Sequence, residues 1–402
     1  MARLHLLPTY VAAGALSTAT AIGAPARAQQ QAPDRASLVT TLGRDTVALE
    51  SFAASAARVE GDIAVRVPGT VLCHYVITYA SDGSPRQSRV EIHPLAAPGV
   101  DPATVTLDFT GDSVHVVSES QGKKQTATRA AKDVSAFFLT GFGASYGLYT
   151  AAGPLEAYLM HHARTSTDTV AVPAIDIATA RLGRRRFVRR SPTEVDADWF
   201  GYFWQHLAVD TGDRITAIDS RGTTEKTITE RAASPIDVPA AAQRFAQADK
   251  SGHGLGAASI DTVARGTVNG KPVVVTYGSP RARGRAILGG VVPYDRVWRT
   301  GANAATVLLT DAELTIGGTT LPAGAYSLWT VPKQDGSVTL IINRQHGQWG
   351  TDYDPSQDVA RVPMQASRAA SPQDRFAIDV TVGSAPQLRM AWDTFVWTVP
   401  LR

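Results

Sequence analysis

The 402-residue sequence has a single cysteine, Cys73, so no disulfide within the chain holds it together. A chain of this length buries a core large enough to fold without such staples. Cys73 also lies far from the N-terminus, which excludes the lipid-bearing cysteine of a bacterial lipoprotein. Its place in the alternating run Val71-Leu72-Cys73-His74-Tyr75-Val76-Ile77 marks a small buried apolar side chain rather than a nucleophile. Beyond the first 28 residues no stretch offers eighteen uninterrupted apolar residues, so no transmembrane helix is expected there. Strong charge of one sign is missing as well. Lys+Arg number 39 against 36 Asp+Glu, a formal charge of +3. Removing residues 1–28 takes away Arg3 and Arg27 and no acid, which leaves +1. That balance does not suit a general polyanion binder, and no nucleic-acid partner is expected. No internal repeat is visible. A hydrophobic share of 44% and a charged share of 19% exclude a disordered or fibrous chain.

What is present begins with an export signal. Arg3 gives a positive start, Leu6 to Ile22 carries no charge, and Ala26-Arg27-Ala28 puts small residues where a signal peptidase inspects. Cleavage is expected after Ala28, which places the mature protein in the periplasm or outside the cell. Pro8, Thr9, Ser17, Thr18 and Thr20 interrupt the apolar stretch and make it a poor permanent span.

The rest reads as mainly β. Residues 29–45 are polar and form a loose lead-in. Strand candidates follow at Ile63 to Val67, Val71 to Tyr79, Arg89 to His93, Val105 to Phe109 and Val114 to Val117. Turns such as Ser81-Asp82-Gly83 and Thr110-Gly111-Asp112 are too short to join anything but antiparallel neighbours. The segment Asp133 to His162 breaks the rhythm, with a helix expected from near Pro154. Further strands are expected at Thr169 to Val172, Arg184 to Arg190, Asp198 to Leu207, Ile215 to Asp219 and Lys226 to Thr229. The reading therefore divides the chain into a signal (1–28), an antiparallel β-meander domain with one or two helices (29–231), a linker with a short helix at Ala240 to Ala248 (232–260) and a second β-domain (261–402). In the last, Asn269-Gly270 is the preferred two-residue hairpin turn, and about eight short strands suggest a sandwich or jelly roll.

The second β-domain carries a dense set of uncommon residues in order. They are Val275-Thr276-Tyr277-Gly278-Ser279-Pro280-Arg281-Ala282-Arg283-Gly284-Arg285, Gly289-Gly290-Val291-Val292-Pro293-Tyr294 and Val297-Trp298-Arg299-Thr300-Gly301-Ala302-Asn303. Leu321-Pro322-Ala323-Gly324-Ala325-Tyr326-Ser327-Leu328 and Gln348-Trp349-Gly350 follow. From about Ser259 to the C-terminus this pattern resembles the bacterial family called domain of unknown function 2911. The resemblance implies an extracytoplasmic β-domain and no particular activity. Ala304 stands where members often carry an acid. Residues 29–230 resemble no family.

Five constellations carry chemistry. Arg281, Arg283, Arg285, Tyr294, Trp298, Arg299 and Asn303 combine guanidinium forks, which bind carboxylate or phosphate, with aromatic planes. Trp298 and Trp349 lie in candidate loops and suit stacking on a sugar or ring, whereas Trp329, Trp392 and Trp397 alternate as core residues. This set suggests a small anionic or glycan ligand, with Arg281, Arg285, Tyr294, Trp298, Arg299, Asn303 and Trp349 as binding residues. The plain alternative pairs these arginines with Asp295, Asp311, Asp352 or Asp354. Second, Gly143-Ala144-Ser145-Tyr146-Gly147 matches the nucleophile-elbow pattern of hydrolases, with His206 and Asp176 as partners, but its surroundings are antiparallel. Third, Arg181 to Arg190 holds six arginines in ten residues, and Glu194, Asp196 and Asp198 follow at period two, which predicts a charge-paired hairpin. Fourth, no metal site is assigned. His161 and His162 are adjacent, His74, His93 and His115 show no ligand spacing, and Gly350 to Asp358 lacks the glycine and glutamate of a calcium loop. Fifth, five of the seven tryptophans fall between Trp298 and Trp397, which suits a sugar platform or core packing, and no cofactor is assigned. The sequence thus favours an envelope protein that binds a small ligand, and leaves a hydrolase or a purely structural protein as the rivals.

Overall fold

The computed structural model describes residues 34–97, 99–139, 149–162, 169–199 and 203–402. The chain is mainly β, as its alternation and turn spacing predict. The strands β1 (Asp34–Leu42), β2 (Asp45–Ala54), β3 (Arg58–Val65), β4 (Thr70–Tyr79), β5 (Pro85–Ala96), β6 (Ala103–Thr110), β7 (Ser113–Ser120) and β8 (Lys123–Ala130) form one antiparallel meander. After β9 (Ala136–Phe138) and α1 (Ala152–His161), a second meander follows. It comprises β10 (Val170–Asp176), β11 (Leu182–Ser191), β12 (Glu194–Trp199), β13 (Phe203–Val209), β14 (Ile215–Asp219) and β15 (Ile228–Arg231). The two meanders join where β1 pairs with β15, Thr40 opposite Thr229, to give one sheet of fifteen strands. Among the described strands of this sheet, only β9 runs parallel to its neighbour, β10.

The end strands of this sheet, β8 and β9, are joined by residues 131–135 alone, so the sheet must roll to bring its ends together. Phe137 on β9 accordingly reaches Tyr79 and Phe109 on the first meander, at 6.0 and 5.6 Å between ring centres. Inside the roll lies α1. Its residues Ala152 to Leu159 are all buried, and Tyr158 stacks on Phe187 of β11 at 4.3 Å. A helix buried on every side belongs in such an interior, and its one acid, Glu156, is met there by Ile215 N and Arg231.

The N-terminus of α1 has no capping side chain of its own. Glu50 of β2 supplies the cap from across the sheet. Its carboxylate accepts from Ala152 N (2.7 Å), Gly153 N (3.0 Å), Tyr75 Oη (2.8 Å) and Tyr149 Oη. Burial nonetheless dominates and raises the Glu50 pKa above its ordinary value. Elsewhere in this interior, Glu225 is pushed up to about 7 by burial, against the pull of its bonds to Ser220 and Gln205.

The helix α2 (Val238–Lys250) starts at an Asp237 cap, with Oδ1 accepting from Ala240 N at 2.9 Å and proline in the first turn. Its Val238, Ala241 and Ala242 pack on Leu49 and Ala64, while the neighbours Ala48 and Ile63 face the α1 side. Alternation along β2 and β3 therefore places the two helices on opposite faces of the sheet.

The second sheet contains β16 (Ser259–Val268), β17 (Lys271–Pro280) and β18 (Ala302–Thr310). A small hairpin, β19 (Leu314–Ile316) and β20 (Thr319–Leu321), leads to β21 (Gly324–Pro332), β22 (Val338–Asn343), β23 (Asp358–Thr381) and β24 (Gln387–Pro400). The order is β16-β17-β18-β21-β22-β23-β24, antiparallel throughout. The turn predicted at Asn269-Gly270 is present, with φ of 50° and 75°. The long β23 pairs first with β22 and then with β24, and its later half crosses the end of β17. There Ser279 Oγ donates to Phe376 O (2.5 Å) and Ala282 N to Asp374 O (2.6 Å). The sheet thus curls over itself into sandwich-like layers around Leu308, Leu328, Ile342, Phe376 and Trp392.

Three local expectations change. The lead-in 29–45 contains β1, which looks polar but is buried on two sides by β2 and β15. Asp198 to Leu207 is two strands rather than one. In the second β-domain, where about eight short strands are expected, β24 is instead a long strand, continuous through Asp393 in a positive-φ conformation. Residues 1–28 and Gly143 to Gly147 lie outside the described residues.

Two outcomes follow. Glu50→Ala strands two backbone amides and two tyrosine hydroxyls in the interior, at a cost on the order of 1–3 kcal/mol for each orphaned group. Urea denaturation should show a loss of about 3 kcal/mol or more, and a loss below about 1 kcal/mol would contradict the capping role. The folded protein also holds the Glu225 proton up to about 7, while the unfolded chain releases it near 4.5. This contribution to stability is present below pH 4.5 and disappears as pH rises to about 7, a fall on the order of 3 kcal/mol. Glu225→Gln should flatten the urea midpoint between these limits, and an unchanged slope counts against the assignment.

Candidate functional site

The region between the sheets starts from one tight approach. Gly43, at φ 64° in the turn between β1 and β2, lies where any Cβ would strike Arg283 O and the Arg285 side chain. Arg44 N then donates to Arg283 O at 3.0 Å. The Arg283 guanidinium is 2% exposed and bonds to Asp45 Oδ2 (2.5 Å), Leu255 O (3.2 Å) and Gly256 O (3.3 Å). It thereby joins the first sheet, the segment after α2 and the loop after β17. Asp374 serves the same loop, accepting from Arg281 Nε (2.7 Å) and Arg283 N (2.9 Å). Arg281 and Arg283 are thus committed to carboxylates, though to Asp374 and Asp45 rather than to the acids considered from sequence.

Other cations of the seam have no such partner. Arg285 donates only to the carbonyls of Ala282 (2.9 Å) and Arg281 (2.6 Å). Burial, reinforced by Arg283, pulls its pKa down to about 10. Arg299 is largely buried, burial lowers its pKa, and its side chain has no hydrogen-bond or ion-pair partner among the described residues. Lys226, from the loop between β14 and β15, donates to Arg221 O at 3.0 Å. Burial lowers its pKa, and both Arg299 and Arg285 push it further down, so the three charges are neighbours. An anion placed among them would relieve that repulsion.

Polar and aromatic groups gather beside Arg299. Gly350 fits against the Arg299 side chain with no room for a Cβ, and its N–H donates to Asn303 O at 3.0 Å. Ala304 bridges to Trp349, which is 53% exposed. Asn303 is exposed and its Nδ2 donates to Ser259 Oγ at 3.2 Å. The backbone here is held in unusual conformations. Lys226, Arg283, Thr300 and Asn303 have φ of 61°, 51°, 53° and 63°. Threonine is β-branched and is a marked outlier in that region, and such strain gathers at ligand sites.

The structure therefore brings together Arg285, Arg299, Asn303 and Trp349 of the sequence-derived set and adds Lys226. It places two others differently. Trp298 is 9% exposed and stacks on Trp392 at 5.9 Å, edge-on to Phe376 at 5.2 Å. Tyr294 is half-buried and packs over Gly289. Both belong to the core under the loops. No sequence signal links Lys226 to Arg285, Arg299, Asn303 or Trp349, which follow 59 to 123 positions later, since only the assembled sheets bring them together.

The remaining constellations resolve into local roles. The arginine-rich β11 and β12 form the charge-paired hairpin, with Arg190 on Asp196 (2.7 Å) and Arg186 on Asp198 (2.6 Å). Asp196 also receives His206 at 2.5 Å. Asp176 bonds the backbone N–H groups of Ala178 and Thr179 in the turn after β10. His74 pairs with Asp62 at 3.0 Å, which raises its pKa, and His115 faces Thr128. Asp354 caps a short 3-10 turn through Ser356, and Asp358 bonds Asn343, Tyr353 and Arg361. Among the described residues no three His, Cys, Asp or Glu side chains converge on a metal position, and no helix is long and apolar enough to cross a membrane.

No curated protein matches the sequence. A solved structure of a DUF1089 family protein from Pseudomonas aeruginosa is similar at 10% identity and a TM-score of 0.30, over 43% of this chain and 90% of that one. Over residues 259–401, from β16 to the end of the second sheet, the chain matches the family described as protein of unknown function (DUF2911).

Proposed function

We propose that this protein is exported by its first 28 residues to the periplasm or beyond, and binds a small anionic ligand in the seam between its sheets. Arg299 carries the reading, as a largely buried guanidinium without a partner beside two further cations. Its fork and that of Arg285 suit a carboxylate or phosphate, with Lys226 adding a point charge. Exposed Trp349 gives a flat apolar face at the same place, and Asn303 an amide. An acidic sugar uses all of these features, whereas a simple inorganic anion uses the cations alone.

The test is a thermal-shift screen of the full protein with glucuronate, inorganic phosphate, small organic acids and neutral sugars. A ligand at a hundred times its Kd adds about 2.7 kcal/mol of stability, a Tm rise on the order of 5 °C. Arg299→Ala should abolish the rise while leaving the ligand-free Tm unchanged or higher, because the lost charge has no partner. Lys226→Ala should weaken it, and Trp349→Ala should weaken glucuronate but not phosphate. No shift with any anion, or a shift that survives Arg299→Ala, would overturn the proposal.

A further inference from the structure

A second set of unpartnered groups lies inside the roll of the first sheet and shares no side chain with the seam, although Glu225 directly precedes Lys226 in the chain. Arg185 of β11 is 1% exposed. Its Nε donates to Asp198 O at 3.0 Å and its guanidinium lies over the Phe187 ring at 5.7 Å, but among the described residues neither terminal nitrogen has a hydrogen-bond partner. The Asp198 carboxylate is already engaged by the backbone and side chain of Arg186. Gln205 of β13 is equally buried. Its Nε2 donates to Ser220 Oγ (3.0 Å) and Glu225 Oε2 (3.2 Å), which leaves Gln205 Oε1 and Glu225 Oε1 without donors. Arg185 and Glu225 feel each other's charge, yet no nitrogen of one reaches an oxygen of the other. A protein interior rarely leaves so many polar atoms unmet, and each costs free energy until something fills the place between them.

The unmet atoms specify what would fill it. Two guanidinium nitrogens in a fixed fork call for two oxygens of an anion. Two acceptor oxygens nearby call for a donor on the same molecule. We propose that Arg185, Gln205 and Glu225 form an interior binding site for a small carboxylate that carries a hydroxyl or amino group, the carboxylate on Arg185 and the donor on Gln205 and Glu225. The site is independent of the seam.

The experiment unfolds the full protein, removes small molecules, and refolds it with millimolar acetate, glycolate, glycine or inorganic phosphate before measuring Tm and affinity. Glycolate or glycine should stabilise the native protein more than acetate does. The same shift should appear in Arg299→Ala, which separates this site from the seam. In Arg185→Met the affinity should fall by at least about tenfold. Gln205→Met, which keeps the arginine, should remove the advantage of glycolate over acetate and serves if Arg185→Met does not fold. Two results would overturn the proposal. One is that none of these acids shifts Tm in native protein, which would mean that ordered water alone meets the orphaned atoms. The other is a shift that persists in Arg185→Met or, should that variant not fold, an advantage of glycolate that persists in Gln205→Met.

Discussion

A guanidinium that leaves water must find oxygens, and Arg283 finds them on separate segments at once. Asp45 comes from the turn between β1 and β2, and the carbonyls of Leu255 and Gly256 come from the segment after α2. The loop that carries Arg283 is itself held by Asp374 of β23. A buried pair of this kind adds little net stability compared with apolar packing, but breaking it leaves a costly bare charge. Its consequence is geometric. The two sheets can meet only where these oxygens coincide, and Gly43 is the residue small enough to let them do so.

That constraint decides which cations remain available. Arg44, Arg66, Lys226, Arg281, Arg283, Arg285 and Arg375 act on one another across the seam, and the carboxylates that answer them are Asp45, Asp249 and Asp374. Asp45 holds Arg283, Asp374 holds Arg281, and Asp249 is bonded by the backbone and hydroxyl of Thr70. Among the described residues, Arg299 stands beside Lys226 with no acid to pair with. Lys226, Thr300 and Asn303 beside it have positive φ, a conformation that costs free energy. The same logic recurs inside the roll, where Asp198 is taken by Arg186 and Arg185 is left over.

Much of the architecture could be read from sequence, because strands bury alternate residues and short turns force antiparallel pairing. The hairpin at Asn269-Gly270, the helix near Pro154 and the charge pairs of β11 and β12 all rest on local spacing. What escaped reading depends on distant partners. The segment Asp34–Leu42 looks polar, yet Thr40 is buried because its hydroxyl meets that of Thr229 at 2.8 Å, across 189 residues. Lys123–Ala130 is exposed along its whole length and so shows no alternation, though it is the edge strand of the large sheet. Residue type singled out Arg285, Arg299, Asn303 and Trp349, which the fold places near one another. It could not separate Trp298 from Trp349, because the two differ only in that Trp392 and Phe376 lie behind the first. Lys226 carried no local mark at all.

Arg283 and Arg281 take the carboxylates Asp45 and Asp374, and an anion bound in the seam would meet Lys226, Arg285 and Arg299. Anomalous diffraction from crystals soaked in tungstate tests it most directly. The account predicts a peak bounded by those three side chains, with Arg283 still on Asp45. Peaks confined to exposed positions such as Lys123 and Lys124, with none at the seam, would contradict it.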